Sequence, residues 1–196
     1  RSIQVVGDAG QGKSRLLREL LLGVLDTDTM VFPATCRAES SAPYEPLRGL
    51  LAALDEVSLD GDETPVAAAV RERAPADPTT STLGGNETPT SLAHELRPPI
   101  AEPEDATSGR LQAHTRWSTR LQLLGRRRPV LLLLEDAQWA DPPTLQLLTT
   151  LVRTLGVARA KGEPVRFALV VSHRRSADNP DLDLLLAGLV FLLNLL

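Results

Sequence analysis

Cys36 is the only cysteine, so the chain can close no disulfide on itself and cannot build a zinc site from cysteine pairs. The three histidines, His94, His114 and His173, lack metal-ligand spacing, and each reads as structural or exposed. Aromatic residues are scarce; Trp139 reads as a packing anchor rather than a ligand platform, and Tyr44, set between prolines, says nothing alone. A basic excess is missing too. The net charge of -4 argues against the broad basic face that duplex DNA needs, so this domain is not expected to touch DNA directly. The apolar run Leu184 to Leu193 is far shorter than the ~20 residues that span a bilayer, and no charged-then-apolar leader opens the chain. No membrane contact and a cytoplasmic location are expected. The chain starts at Arg1, directly before what reads as a core strand, and is expected to be a piece of a longer polypeptide.

What is present suits one α/β domain. A chain of 196 residues buries roughly 70 % of its unfolded surface, and its apolar and charged fractions sit near globular averages. Ile3 to Val6 is a short apolar run ending at glycine, and Leu16, Leu17, Leu20, Leu21 and Val24 then share one helical face. Asp26 to Thr29 reads as a turn, and Met30 to Cys36 as a strand whose Pro33 implies a bulge or an edge position. Leu47 to Val57 reads as helical, and Val66 to Arg73 as a further short helix. From Ala74 to about Ser108, Pro, Thr, Ser, Gly and acidic residues without a period predict a flexible insertion or a lid.

Order returns with the helical stripe Leu111, His114, Trp117, Leu121 and Leu124, expected to stop at Gly125. The run Val130 to Leu134, apolar on both faces, predicts the centre of a parallel sheet. Asp141-Pro142-Pro143 is a helix start, an N-cap acid followed by proline, with Leu145, Leu148 and Val152 on the face that follows. Arg166 to Ser172 predicts another strand. The leucine-rich tail from Leu182 fits helix or strand.

Gly7-Asp8-Ala9-Gly10-Gln11-Gly12-Lys13-Ser14 matches G-x-x-x-x-G-K-S/T at every fixed position, between a predicted strand and a predicted helix. Its glycines let the backbone curl so that successive N–H groups point at phosphate oxygens, and the helix N-terminus adds partial positive charge. In that site Lys13 bridges the β and γ phosphates of ATP and the Ser14 hydroxyl contacts Mg²⁺. Its second half needs an acid at the end of a buried strand. Glu135 is the candidate to hold Mg²⁺ through water, and Asp136 to orient or deprotonate the attacking water, although acids at strand ends are also ordinary loop residues. Arg174, following the last clear strand, is either a γ-phosphate sensor or a surface cation, with Arg175 a weaker candidate. Arg126-Arg127-Arg128 reads as basic residues offsetting a helix dipole, and Asp141 as a cap rather than a catalyst.

Together, GDAGQGKS, RAESSAPYEPL, PVLLLLEDAQWADPPTLQLL and FALVVSHR resemble the ATPase module of the STAND class of AAA-like P-loop proteins. The likeness is to the module of large ATP-binding LuxR-type bacterial transcriptional regulators, also fused to adenylate cyclases and protein kinases. It covers most of residues 1 to 175 apart from 74 to 108, and E-D-x-x-W-A-D-P is its most discriminating stretch. The resemblance implies a three-layer α/β/α P-loop NTPase fold, a mainly parallel five-stranded sheet with the sensor strand between the two motif strands, and an ATP-driven switch. Its implied partners are ATP or ADP, other domains of a longer chain, and a second copy in nucleotide-dependent self-association.

Three departures accompany it: the 196 residues leave no place for a G-R-x-x-E segment before the first strand, they are expected to hold only the nucleotide-binding core without the helical and winged-helix parts, and the acids stand in the order Glu135-Asp136. The water-side carboxylate is thereby one methylene shorter, which predicts slow turnover. No N-K-x-D or L-S-G-G-Q stretch supports a GTPase or an ABC subunit. The expected function is thus ATP binding with slow Mg²⁺-dependent hydrolysis as a switch. A non-hydrolysing scaffold and a small-molecule phosphotransferase are the alternatives.

Overall fold

A computed structural model of the chain describes residues 1–25, 27–39, 42–56, 106–175 and 179–194. The expected helix Val66 to Arg73, nearly all of the 74–108 insertion and His94 lie outside the described residues. The chain runs β1 (Ser2–Val6), α1 (Lys13–Leu25), β2 (Met30–Thr35), a 3-10 turn (Glu45–Leu47) and α2 (Arg48–Glu56). It continues with α3 (Ala106–Arg127), β3 (Val130–Glu135), a second 3-10 turn (Ala137–Trp139), α4 (Pro142–Ala160), β4 (Phe167–His173) and α5 (Pro180–Asn194).

The strands form one four-stranded sheet in the order β1-β4-β3-β2, and every pairing is parallel. β4 therefore separates β1 from β3, as the resemblance implied, with four strands among the described residues against the five expected. Parallel strands need crossovers, and α1, α2 to α3, and α4 supply them. β3 is central and buried from Val130 to Leu134, whereas β2, carrying Pro33, lies at an edge where proline's missing N–H costs no ladder bond. β1 differs from the core strand that its sequence suggests. It is the other edge of the described sheet, and Ile3 and Val6 are exposed.

The period of two divides the strands between two packing layers. Leu131, Leu133, Val31 and Val170 meet Leu17 and Leu21 of α1 on one face. Leu132, Leu134, Phe32, Leu169 and Val171 meet α2, α3, α4 and α5 on the other, through residues such as Leu54, Trp117, Leu148 and Leu185. Each fully buried leucine contributes on the order of 2 kcal/mol. The result is the α/β/α arrangement of a P-loop NTPase.

Both ends of α3 correct an expectation. α3 begins at Ala106, inside the stretch read as irregular, and continues past Gly125 to Arg127. Gly125 is there for space, since a Cβ would lie 2.9 Å from Val165 Cγ1. Pro129, which disfavours helix at the residue before it, marks the stop. Arg126 and Arg127 occupy the last helical turn, and Arg126 and Arg128 pair with Glu163 and Asp28. Leu111, the first residue of the expected stripe, is exposed, while His114, Trp117, Leu121 and Leu124 are buried. The tail resolves as helix α5. Asn179 Oδ1 accepts from Leu182 N at 3.2 Å, Pro180 follows, and Asp181 and Asp183 complement the positive end of the dipole.

Candidate functional site

The register brings the ends of all four strands to one edge. Val6 lies opposite His173, Leu134 opposite Val171, and Thr35 opposite Glu135, so the loop after β1, Asp136 and Arg174 all leave the sheet on the same side. In an open parallel sheet, this carboxyl edge is where ligands bind.

The loop after β1 is tied down at its root, where Gly7 N donates to the His173 carbonyl at 3.3 Å. Gly10 and Gly12 both adopt φ of 81°, a conformation that strains any residue with a side chain, and open space faces the position of each absent Cβ. Lys13 Nζ donates to the carbonyls of Gly7 at 2.8 Å and Asp8 at 2.9 Å, folding its ammonium over the loop. Gln11 Oε1 accepts from Asp8 N at 2.9 Å, and a Cβ at Gly7 would displace that oxygen, which would lie 2.5 Å away. Ala9, Gly10 and Ser14 are exposed, with Ser14 in the first turn of α1. A bare, positively curled backbone with a lysine over it, opening a helix, fits a polyphosphate.

Glu135 ends β3 half-buried, and its carboxyl is held above its ordinary range by desolvation first and by the neighbouring Asp136 charge second. Arg18, one turn along α1 from Ser14, acts in the opposite direction, which places the start of α1 within electrostatic reach of Glu135. A divalent cation would favour the ionised carboxylate and so offset the upward shift, and this carboxylate fits a Mg²⁺ role. No group of three or more His, Cys, Asp or Glu converges among the described residues. Mg²⁺ held by one or two protein oxygens plus substrate phosphates requires no such cage.

Asp136 takes the left-handed conformation at φ 52°, which asparagine and aspartate tolerate better than other side-chain-bearing residues. Its N–H donates to Ser172 Oγ at 3.1 Å, and its Oδ1 accepts from Gln138 Nε2 at 3.1 Å. Gln138 Oε1 accepts in turn from Arg174 N at 3.1 Å. The Arg174 guanidinium lies 5.8 Å from the centroid of the Trp139 ring, within cation–π range. Trp139 is exposed, so it is a platform for Arg174 and not the packing anchor its sequence suggested. Arg175 is exposed. His173 is buried, its Nδ1 pairs with the Arg174 carbonyl at 3.0 Å, and its Nε2 has no partner among the described residues.

Two flanking residues are structural. Asp141 caps α4 by accepting from Thr144 N at 2.9 Å, and the same Oδ1 accepts from Tyr44 N at 3.1 Å. Burial pushes the Cys36 thiol up to about 12, with Asp141, Glu45 and Asp136 adding to the effect, so it stays protonated and unreactive at neutral pH.

Fold, loop and acid-bearing strand define a P-loop NTPase class of domain. More narrowly, a family model for the AAA ATPase domain matches residues 1–189, and the chain belongs to that family. ATP binding and hydrolysis are that family's chemistry. No curated protein and no solved structure matches the chain. No helix among the described residues is long and apolar enough to cross a membrane.

Proposed function

We propose that residues 1–196 are the nucleotide-binding core of a switch that binds ATP at Gly7, Asp8, Ala9, Gly10, Gln11, Gly12, Lys13 and Ser14 and hydrolyses it slowly. The observation that carries this reading is the strand order: β4 separates β1 from β3, so the loop, the Glu135-Asp136 pair and Arg174 share one sheet edge. The loop's backbone N–H groups and Lys13 grip the phosphates. Ser14 and Glu135 would hold Mg²⁺, which when bound would neutralise phosphate charge. Asp136 orients the attacking water and takes its proton, and Arg174 contacts the terminal phosphate. Asp136 is one methylene shorter than glutamate, so it reaches the water poorly, and turnover is slow. Slow turnover suits a switch in a multidomain signalling or transcriptional regulator. The resemblance to STAND-class modules supports that setting, together with contacts to other domains of a longer chain and nucleotide-dependent self-association.

Single-turnover kinetics on the intact protein tests this proposal. The expected chemical step is far slower than about 10 per second, an ordinary enzyme turnover, and a step at or above that rate overturns the switch reading. One observation favours a second reading, an ATP-binding scaffold without turnover: Asp136 Oδ1 is already engaged by the Gln138 amide. Phosphate release with bound ATP separates the two.

A further inference from the structure

Between the acid pair and Arg174 stands a side chain to which neither the motifs nor family membership gives a role. Gln138 sits half-buried in the 3-10 turn after β3 and bonds in two directions, with Nε2 donating to Asp136 Oδ1 and Oε1 accepting from Arg174 N, each at 3.1 Å. The amide has only one orientation that serves both. A carboxylate only accepts and a backbone N–H only donates, so the flipped amide would lose both bonds at once. The bridge thus runs from the first residue beyond β3 to the first beyond β4, two positions that lie far apart in sequence.

Other contacts fix the corner around this bridge. Ser172 Oγ holds the Asp136 N–H, Trp139 lies under the Arg174 guanidinium, and Asp136 is kept in its left-handed conformation. The Asp136 carboxylate can turn only if its bond from Gln138 turns or breaks, and the same amide is anchored on the backbone of Arg174. A shift of the Arg174 backbone is therefore passed to the carboxylate through the Gln138 amide.

We propose that Gln138 is a positioning residue that couples the two: its amide sets the orientation of the Asp136 carboxylate according to where the Arg174 backbone stands. This rests on the nucleotide-site reading above. When Arg174 moves onto the terminal phosphate, the amide carries the carboxylate into line with the attacking water, and when Arg174 withdraws, the carboxylate is held away. Gln138 touches neither phosphate nor metal in this arrangement. Its loss consequently slows turnover and modestly lowers the preference for ATP over ADP together, and leaves ADP affinity alone.

The test uses the full chain with γ-labelled ATP and two variants. Gln138→Met keeps much of the volume without polar atoms. Gln138→Glu keeps an acceptor for the Arg174 N–H but sets a second negative charge against Asp136. Single-turnover rate, equilibrium affinity for ATP and for ADP, and melting midpoint are measured for each. Gln138→Met is expected to slow the chemical step about tenfold, to lower ATP affinity and with it the ATP-to-ADP preference about threefold, and to leave ADP affinity unchanged. Gln138→Glu is expected to slow the step at least as much while retaining the preference. In an Asp136→Ala background, Gln138→Met should slow the step no further, because residues acting as one unit are not additive. A wild-type rate and preference in Gln138→Met, or full additivity with Asp136→Ala, overturns the coupling. If Asp136→Ala alone hydrolyses ATP at the wild-type rate, the nucleotide-site reading itself fails. The preference measurement needs no turnover, so the coupling remains open to refutation even in a protein that only binds.

Discussion

At the junction of α2 and α3, Tyr44, His114, Trp117 and Asp55 answer one another's polar groups, while at the carboxyl edge of the sheet Asp136, Gln138, His173 and Arg174 are left partly open. In the first group the Tyr44 hydroxyl pairs with His114 Nε2 at 2.7 Å, and Trp117 Nε1 donates to Asp55 Oδ1 at 3.1 Å. Tyr44 meets the two other rings edge-on at 5.4 and 5.6 Å, and Arg116 and Arg120 close over Asp55. Tyr44, His114 and Trp117 are all buried. In the second group Arg174 is exposed, His173 Nε2 has no partner among the described residues, and Asp136 sits at positive φ. A closed polar cluster stabilises the fold, whereas an open one beside a phosphate-type loop has capacity left for a ligand.

If the division is sound, damage to the closed cluster should be read in stability and damage to the open one in nucleotide chemistry. Trp117 is 1 % exposed, and Trp117→Ala should cost about 3–5 kcal/mol in denaturant unfolding while the folded fraction keeps its ATP affinity. A parallel loss of affinity would merge the two regions. Asp136→Asn should do the reverse, slowing single-turnover hydrolysis about a hundredfold, or ~2.7 kcal/mol, with a melting midpoint close to that of the wild type.

Acid sharpens the comparison from the other side. Burial, with the Arg110 charge adding to it, pulls the His114 imidazole down to about 4 from its ordinary 6.5. Between those values the unfolded chain binds the proton and the folded one does not. The stability from this group is therefore complete above pH 6.5 and is lost as the pH falls toward 4, by at most about 3 kcal/mol. Unfolding midpoints measured across that window should fall more steeply for the wild type than for His114→Gln, and equal slopes would remove His114 from the effect. The smallest change is expected at Arg174. Arg174→Ala should leave ADP affinity unchanged and lower ATP affinity modestly toward it, which competition binding measures.

Much of this molecule can be read along the chain because its signals are local. The loop glycines, the all-apolar β3, the edge proline of β2 and the Asp141 cap each declare themselves within a few residues. The same kind of cue was present for α5, whose Asn179-Pro180-Asp181 repeats the cap-proline device of α4, but a continuous leucine run obscured the helical period. Gly125 misleads because glycine reads as a stop, while here it answers to Val165 and Arg166 across a tight contact. The contacts of Tyr44 with His114 and Asp141, and those of Gln138 and Trp139 with Arg174, were illegible for a different reason. They are made by strand order and helix packing, and no residue near any of them in sequence announces the partner.

The most direct test of a phosphate-gripping loop at residues 7 to 14 is equilibrium binding of ATP, with Mg²⁺ present, to the wild-type protein and to Lys13→Ala. Lys13 is folded over the loop carbonyls of Gly7 and Asp8, poised to exchange those partners for phosphate oxygens. The expected result is saturable binding by the wild type and binding weakened at least about a hundredfold, roughly 2.7 kcal/mol, by the substitution. A Lys13→Ala protein that binds ATP as tightly as the wild type would contradict the whole site assignment.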